Sequence, residues 1–197
     1  NTAVRQSFDD ALKVFANTGY EIVDLDIPEL RYAAMTSMLT SSAESAGINR
    51  RWFPEAHLDY VPHVARVPPA GMTITATEYL TAQRARHKIR EAVRSAYAKV
   101  NIIASPTTAR AAPPLADGVK GNGDDTRHAS YNHSNLLRFP RMLGLPGCSL
   151  PCGMSPENLP IGMQLIGTWF SDQIVLNAAL AYQNATDWHT RRPTIID

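Results

Sequence analysis

Two cysteines, six histidines and a scatter of serines and lysines are the side chains with which this 197-residue chain could act on a substrate. Serine chemistry is demanding: the hydroxyl attacks a carbonyl carbon only when a neighbouring base takes its proton and fixed donors hold the oxyanion that forms. Ser41-Ser42 is the one adjacent serine pair. It falls in a helical pattern without flanking glycines and reads as a tolerated polar helix face. Lys13, Lys88, Lys99 and Lys120 do not stand in a strand context that would aim an amine at a serine. No Gly-x-Ser-x-Gly elbow occurs, so a Ser-His-Asp triad has no nucleophile turn to build on. Cys148 and Cys152 would share one face of an extended strand, yet a metal site needs further soft ligands and none is near in sequence. They read as buried structural thiols of a reducing compartment. His128 and His133 bracket a possible helix face and, as a pair alone, read as surface or core residues. The remaining polar concentration is Ser105-Pro106-Thr107-Thr108, which closes a short apolar run. Strands that end in such turns deliver side chains to clefts in α/β sheets.

The elements that must position these residues follow from periodicity. Val4, Phe8, Ala11, Leu12 and Phe15 keep helical spacing over 4–16, and Asn17-Thr18-Gly19 supplies a left-handed stop. Tyr20 to Leu25 reads as a strand, and a second helix is expected over 29–46. Residues 47–73 carry four prolines and read as a long irregular excursion with a short helix, packed by Trp52, Phe53 and Tyr60. A strong helix is expected over 76–99, capped by Thr75 or Thr77, with Glu78 in its first turn. Val100 to Ala104 is a buried strand, 111–126 a loop, and 127–143 a helix to about Leu137 that Pro140 then breaks. Gly147 to Pro151 and Ile161 to Ile166 form an antiparallel hairpin with a long polar loop. A last helix spans 173–186, capped by Ser171 or Asp172, with Ile174, Leu176, Ala178, Leu180 and Ala181 inward and a polar, fraying tail beyond. Helix, turn, strand, helix is α/β grammar.

Composition narrows the functional classes. Nineteen basic against 18 acidic side chains give a formal charge of +1, so a polyanionic partner is not expected. Arg84, Arg86, Lys88 and Arg90 cluster within one helical pattern beside Glu91 and read as a solvated face. The longest apolar stretches, such as Ala178 to Tyr182, are too short to span a membrane. An opening at Asn1 straight into helical spacing, with no basic-then-apolar leader, suits a fragment or a processed chain.

Several segments in order, GLPGCSLPCG (144–153), LPIGMQLIG (159–167) and ALAYQNATDWHTRRP (179–193), resemble the C-terminal end of amidase-signature enzymes. Upstream, VNIIASPTT (100–108), YLTAQRARHKIR (79–90) and FDDALKVFANTGYEIVDLDIP (8–28) are similar to family segments in the same order, so the resemblance covers nearly the whole chain. It implies an α/β fold: part of the family's α/β/α sandwich with a mixed sheet, in which 1–197 is the C-terminal portion of a single domain. It implies hydrolysis of a carboxylic amide to acid and ammonia or amine by a Ser-cisSer-Lys arrangement expected in the N-terminal part, so no catalytic residue is assigned here. No metal or organic cofactor is implied. Gly162 and Gly167 are expected at a bulge or close backbone approach, and Gln164 to find a buried hydrogen-bond partner.

The pocket wall is expected from 105–108 and from the approach to Gly144. Arg86 stands where glutamine-handling relatives use an arginine to grip a substrate carboxylate, beside its plainer reading as a helix-surface cation. Arg141 stands where the family usually has an asparagine and Pro140 where it has an aromatic, so the resemblance does not carry substrate specificity over to this chain. The acidic residue that glutamine-using members place before that loop is not evident near Ser134. That leans away from the family alternative, the glutaminase subunit of a tRNA-dependent amidotransferase. The other alternative is a non-catalytic, partner-binding remnant. Partners expected are the amide substrate through the full-length enzyme and the N-terminal half of the same domain, with no nucleic acid and no membrane, in the cytoplasm. An unpaired sheet edge would favour a homo-oligomer.

Overall fold

The computed structural model describes residues 1–60, 62–112 and 135–192. The longer elements in chain order are α1 (Thr2–Asn17), α2 (Ala33–Asn49), single helical turns α3 (Phe53–Ala56) and α4 (Pro62–Ala65), α5 (Val67–Met72), α6 (Ala76–Ala96), β1 (Ile102–Pro106), α7 (Asn135–Leu143), β2 (Gly147–Met154), β3 (Pro160–Gly167) and α8 (Asp172–Ala185). Two compact units form, one from 1–26 with 96–197 and one from 27–95.

The first unit is built on an antiparallel sheet in the order β1-β3-β2. The resemblance implies a mixed sheet, whereas the three strands among the described residues pair antiparallel throughout. β3 is central and buried along most of its length, as a strand covered on both faces must be. On one face Met163 and Leu165 of β3 and Leu150 and Cys152 of β2 pack with Val4, Ala11 and Phe15 of α1 and Val175, Ala178 and Tyr182 of α8. The opposite face carries Gln164 and Ile166, and α7 lies over it, tied by the bond from Gln164 Nε2 to the Leu136 carbonyl. Helices on two sides of one sheet make an α/β/α layer order.

Both helix stops that the sequence marks with glycine close in the same way. In α1 the Gly19 N–H reaches the Ala16 carbonyl and the Tyr20 N–H the Phe15 carbonyl, with Gly19 at φ 94° and the Phe15 and Tyr20 rings in edge contact. In α7 the Gly144 N–H reaches Arg141 O and the Leu145 N–H reaches Pro140 O, with Gly144 at φ 69°. This paired capping needs a left-handed residue, which glycine adopts without a Cβ penalty.

The structure departs from several expectations. Residues 20–25 do not form a strand; a strand is a relation to a neighbour, and these residues have no ladder partner among the described residues, with Ile22 and Val23 exposed. Pro140 does not break α7, which continues to Leu143. The inward face of α8 is Val175, Ala178, Ala179 and Tyr182, while Ile174, Leu176 and Leu180 are exposed. Ser171 stands at its cap, but its hydroxyl donates to Thr168 O. In the tail Trp188–Thr190 forms a 3-10 turn, Trp188 packs on the core and Arg191 stacks 3.8 Å over its ring; residues 193–197 lie outside the described residues. His128, His133, Lys120 and most of the 111–126 loop lie outside the described residues.

The hairpin between β2 and β3 forms as expected, with a bulge at Cys152 between Pro151 and Gly153. Thr107 N–H donates to Gly162 O and Gly167 N–H to Pro146 O, which fixes the alternation of bonded positions. By that alternation the absent N–H of Pro106 and of Pro151 falls on the side of β1 and of β2 away from β3, where no strand pairs among the described residues. Each edge strand therefore presents a proline where a further strand would seek a donor.

In the second unit α2 follows a 3-10 turn at Pro28–Tyr32, and Ser41 and Ser42 sit on it as the helical pattern requires. Gly71 of α5 lies so close to the Ser42 carbonyl that no Cβ fits between them. The 47–73 excursion is more helical than its prolines suggest, taking several single turns and α5. Tyr60 donates to Asn49 Oδ1 at 2.7 Å and meets Phe53 edge-on, whereas Trp52 stays half exposed. Helix α6 opens on a reciprocal cap: Thr75 N–H donates to Glu78 Oε2 at 2.8 Å and Glu78 N–H to Thr75 Oγ1 at 3.2 Å.

Candidate functional site

Register places a polar row across the sheet. Ser105 and Ser149 both stand opposite Gln164, so the three side chains share the α7 face. Gln164, 5% exposed, donates from Nε2 to Ser105 Oγ and to Leu136 O, each at 2.9 Å. One step toward the strand end, Thr107 Oγ1 lies 2.7 Å from Ser149 Oγ. The room for that contact comes from Gly162, where a Cβ would stand 3.0 Å from Thr107 Oγ1 and 3.4 Å from Ser149 Oγ. Thr108 turns its hydroxyl to Arg110 O, closing the turn. The polar turn at 105–108 thus gathers hydroxyls at a strand end, as the sequence suggests.

Chemically the row can donate and accept hydrogen bonds, and no base among the described residues activates it for attack. No lysine or histidine among the described residues hydrogen-bonds to Ser105, Thr107, Thr108 or Ser149. A hydroxyl without a base is a weak nucleophile but a versatile donor and acceptor. Lys13 instead pairs with Asp10 at the surface. Cys152 is buried and its thiol is pushed up to about 11 by burial, so it stays protonated near neutrality and is no nucleophile. Cys148 and Cys152 are both free. Burial also raises the Tyr97 phenol, which donates to Ile166 O at 3.0 Å from inside the same unit. Among the described residues no group of three or more His, Cys, Asp or Glu is placed to hold a metal ion.

Arg86 lies half-buried on α6 in the second unit, and Arg84, Lys88 and Arg90 around it are exposed, as a solvated helix face requires. Leu80, Gln83, Arg84, His87 and Lys88 line a shallow depression along the same helix. Sequence reasoning found the 105–108 turn and the need for a partner at Gln164. It missed Ser149, whose only signal is its place on the polar-facing positions of a strand, and it missed Leu136 as the second acceptor.

Helices on two sides of a sheet with hydroxyls gathered at its end define an α/β sandwich of the kind that carries pockets at strand ends. Residues 1–176 match the sequence model of the family described as Amidase. The A subunit of the glutamyl-tRNA(Gln) amidotransferase from Synechococcus sp. (strain JA-2-3B'a(2-13)) is 30% identical over 97% of this chain and 41% of its own length. Two solved structures superpose with similar completeness. A crystal structure of an amidase aligns with TM-score 0.79 at 24% identity over 94% of this chain and 42% of that one. The A subunit of the glutamyl-tRNA(Gln) amidotransferase from Thermotoga maritima aligns with TM-score 0.72 at 25% identity over 92% and 38%. The chain belongs to the amidase family and spans about two fifths of the length of the curated relatives it matches. Among the described residues no helix is long and apolar enough to cross a membrane.

Proposed function

We propose that this chain is the C-terminal, pocket-wall part of a cytoplasmic amide hydrolase, which adds water across a carboxylic amide to give an acid and ammonia or an amine. The observation that supports it is family membership over 1–176 together with a hydroxyl-lined strand end that contains no activated nucleophile. The nucleophilic serine, its bridging serine and the lysine base would come from the N-terminal half of the same domain, which is the partner proposed. Residues 105–108 and the approach to Gly144 would face the substrate, with hydroxyls to orient its amide. Arg86 would pair with a carboxylate on the substrate through its planar, two-pronged guanidinium. No cofactor is needed for this chemistry.

A second reading, the glutaminase subunit of a tRNA-dependent amidotransferase, draws support from the names of the relatives at 30% identity. The acidic residue that glutamine-using members place before the Gly144 approach is not evident near Ser134, which weighs against it.

Ammonia release from glutamine and from a neutral primary amide, by the full-length protein and by the 197-residue chain, tests both. The full-length protein is expected to hydrolyse the neutral amide and the chain alone neither. Preference for glutamine, with KM raised about tenfold or more by Arg86→Met through loss of a charge-assisted pair, would favour the glutaminase reading. Turnover by the chain alone that is lost on replacing one of its own serines would sink the assignment.

A further inference from the structure

We propose that Gln164 is a positioning residue that supplies the hydrogen bond Pro140 removes from α7, and by the same amide nitrogen fixes the Ser105–Thr108 turn. Inside a helix the N–H of residue i bonds the carbonyl of residue i−4, and proline has no N–H to give. For Pro140 the abandoned acceptor is the carbonyl of Leu136, and that carbonyl is the one Gln164 Nε2 reaches at 2.9 Å. The helix runs on through Pro140 because a side chain from the sheet satisfies the freed oxygen.

The second hydrogen of the same NH2 goes to Ser105 Oγ at 2.9 Å, and the Ser105 hydroxyl points to the Pro106 carbonyl at 3.3 Å. Both donors of the amide are therefore used, one on each side. A residue on β3, itself nine-tenths buried, pins the first turn of α7 and the end of β1 to a common point. At the C-terminal end of α7 Pro140 O is closed by Leu145 N–H and Arg141 O by Gly144 N–H, while Leu143 O accepts from the Trp169 indole beyond the helix. Within the body of the helix, Leu136 O is the acceptor that Pro140 leaves unserved. Glutamine suits the place because it offers two hydrogens on one nitrogen; leucine would give up both bonds, and glutamate would leave the Leu136 carbonyl without a donor. That the turn so fixed is a pocket wall rests on the amidase reading; the bond exchange does not.

A double-mutant cycle tests the exchange. In the purified chain Gln164→Leu is expected to lower Tm by about 4–8 °C, as loss of two buried bonds does in a protein of this size. In a Pro140→Ala background, where residue 140 again offers an N–H to Leu136, the drop should be about half of that or less. Equal drops in both backgrounds overturn the exchange. Amide hydrogen exchange tests positioning: Gln164→Leu should speed the Thr107 N–H, bonded to Gly162 O, about tenfold more than amides of the β2–β3 hairpin. Pro140→Ala should not restore it, because the Ser105 bond is still missing. Uniform acceleration of all protected amides would mean plain destabilisation and overturn the positioning role. In the full-length enzyme the same substitution should raise KM for the amide at least about threefold with kcat nearly kept. An unchanged KM removes the turn from the pocket. A protein that hydrolyses no amide sinks the amidase reading alone, and the cycle and the exchange rates still decide the role of Gln164.

Discussion

The two compact units bury their elements with different chemistry. In the sheet unit the deepest side chains are large and apolar: Leu143, Met163, Leu165 and Ile166 are nearly inaccessible, and the buried amide of Gln164 bonds across to other elements. In the helical unit α2 buries Thr36, Ser37, Thr40 and Ala46, and the Thr40 hydroxyl turns back to the Thr36 and Ser37 carbonyls of its own helix. Small residues let backbones come close, and α5 uses this by laying Gly71 against the Ser42 carbonyl. The helical unit also buries Ile89 and Val93 of α6, so the contrast lies between the sheet's filled volume and the near approach of α5 to α2. The first should fail when atoms are removed, the second when atoms are added.

Leu165→Ala is the strongest test of the first half of that contrast. Leu165 is 2% exposed, at the middle of the central strand, with α1 and α8 packed on its face. Removing it should cost about 2–5 kcal/mol in urea unfolding, the range for a large-to-alanine change that leaves a cavity. Gly71→Ala tests the second half and should cost less, about 1–3 kcal/mol. The added methyl would meet the Ser42 carbonyl oxygen, its carbon at 2.6 Å and Ala46 Cβ at 2.8 Å. Two of these atoms are backbone and cannot swing away, while alanine's better helix propensity returns roughly 1 kcal/mol. If Gly71→Ala were neutral, the near approach would be a tolerance of α5 and not a requirement.

What the sequence made legible divides along the same line. Helix α1 and its stop could be read from Val4, Ala11, Phe15 and Gly19, since spacing and a left-handed residue are local properties. The sheet's hairpin could be read from alternation and turn residues. Residues 20–25 carry an alternating pattern without a ladder partner among the described residues. Pro140 reads locally as a breaker, and what cancels it stands 24 positions later, at Gln164, on another strand. On α8 apolar residues occupy both faces, so Ile174, Leu176 and Leu180 looked as suited to the core as Val175 and Tyr182. In the candidate site the 105–108 turn was visible, whereas Ser149 joins it only through strand register and the room left by Gly162.

The smallest expected effect sharpens the contrast from the helical side, where polar bonds stand in for apolar volume. Thr75→Ala removes the hydroxyl that receives the Glu78 N–H and that donates to the Glu78 carboxylate. Loss of such a cap should lower stability by about 1 kcal/mol near neutrality. The sign of its pH dependence follows from Glu78. Hydrogen bonds from the Thr75 backbone and hydroxyl hold that carboxyl below its ordinary value of 4.5, so the folded state favours the ionised form. The contribution is present in full above the ordinary carboxylate value and is lost as pH falls through the lowered one. Wild type and Glu78→Gln should therefore differ at pH 7 and converge as the pH is taken below about 4, the ordinary glutamate range. Urea unfolding of both proteins at a series of pH values reads this directly. A gap that stayed constant down to pH 3 would mean that the carboxylate does not carry the cap.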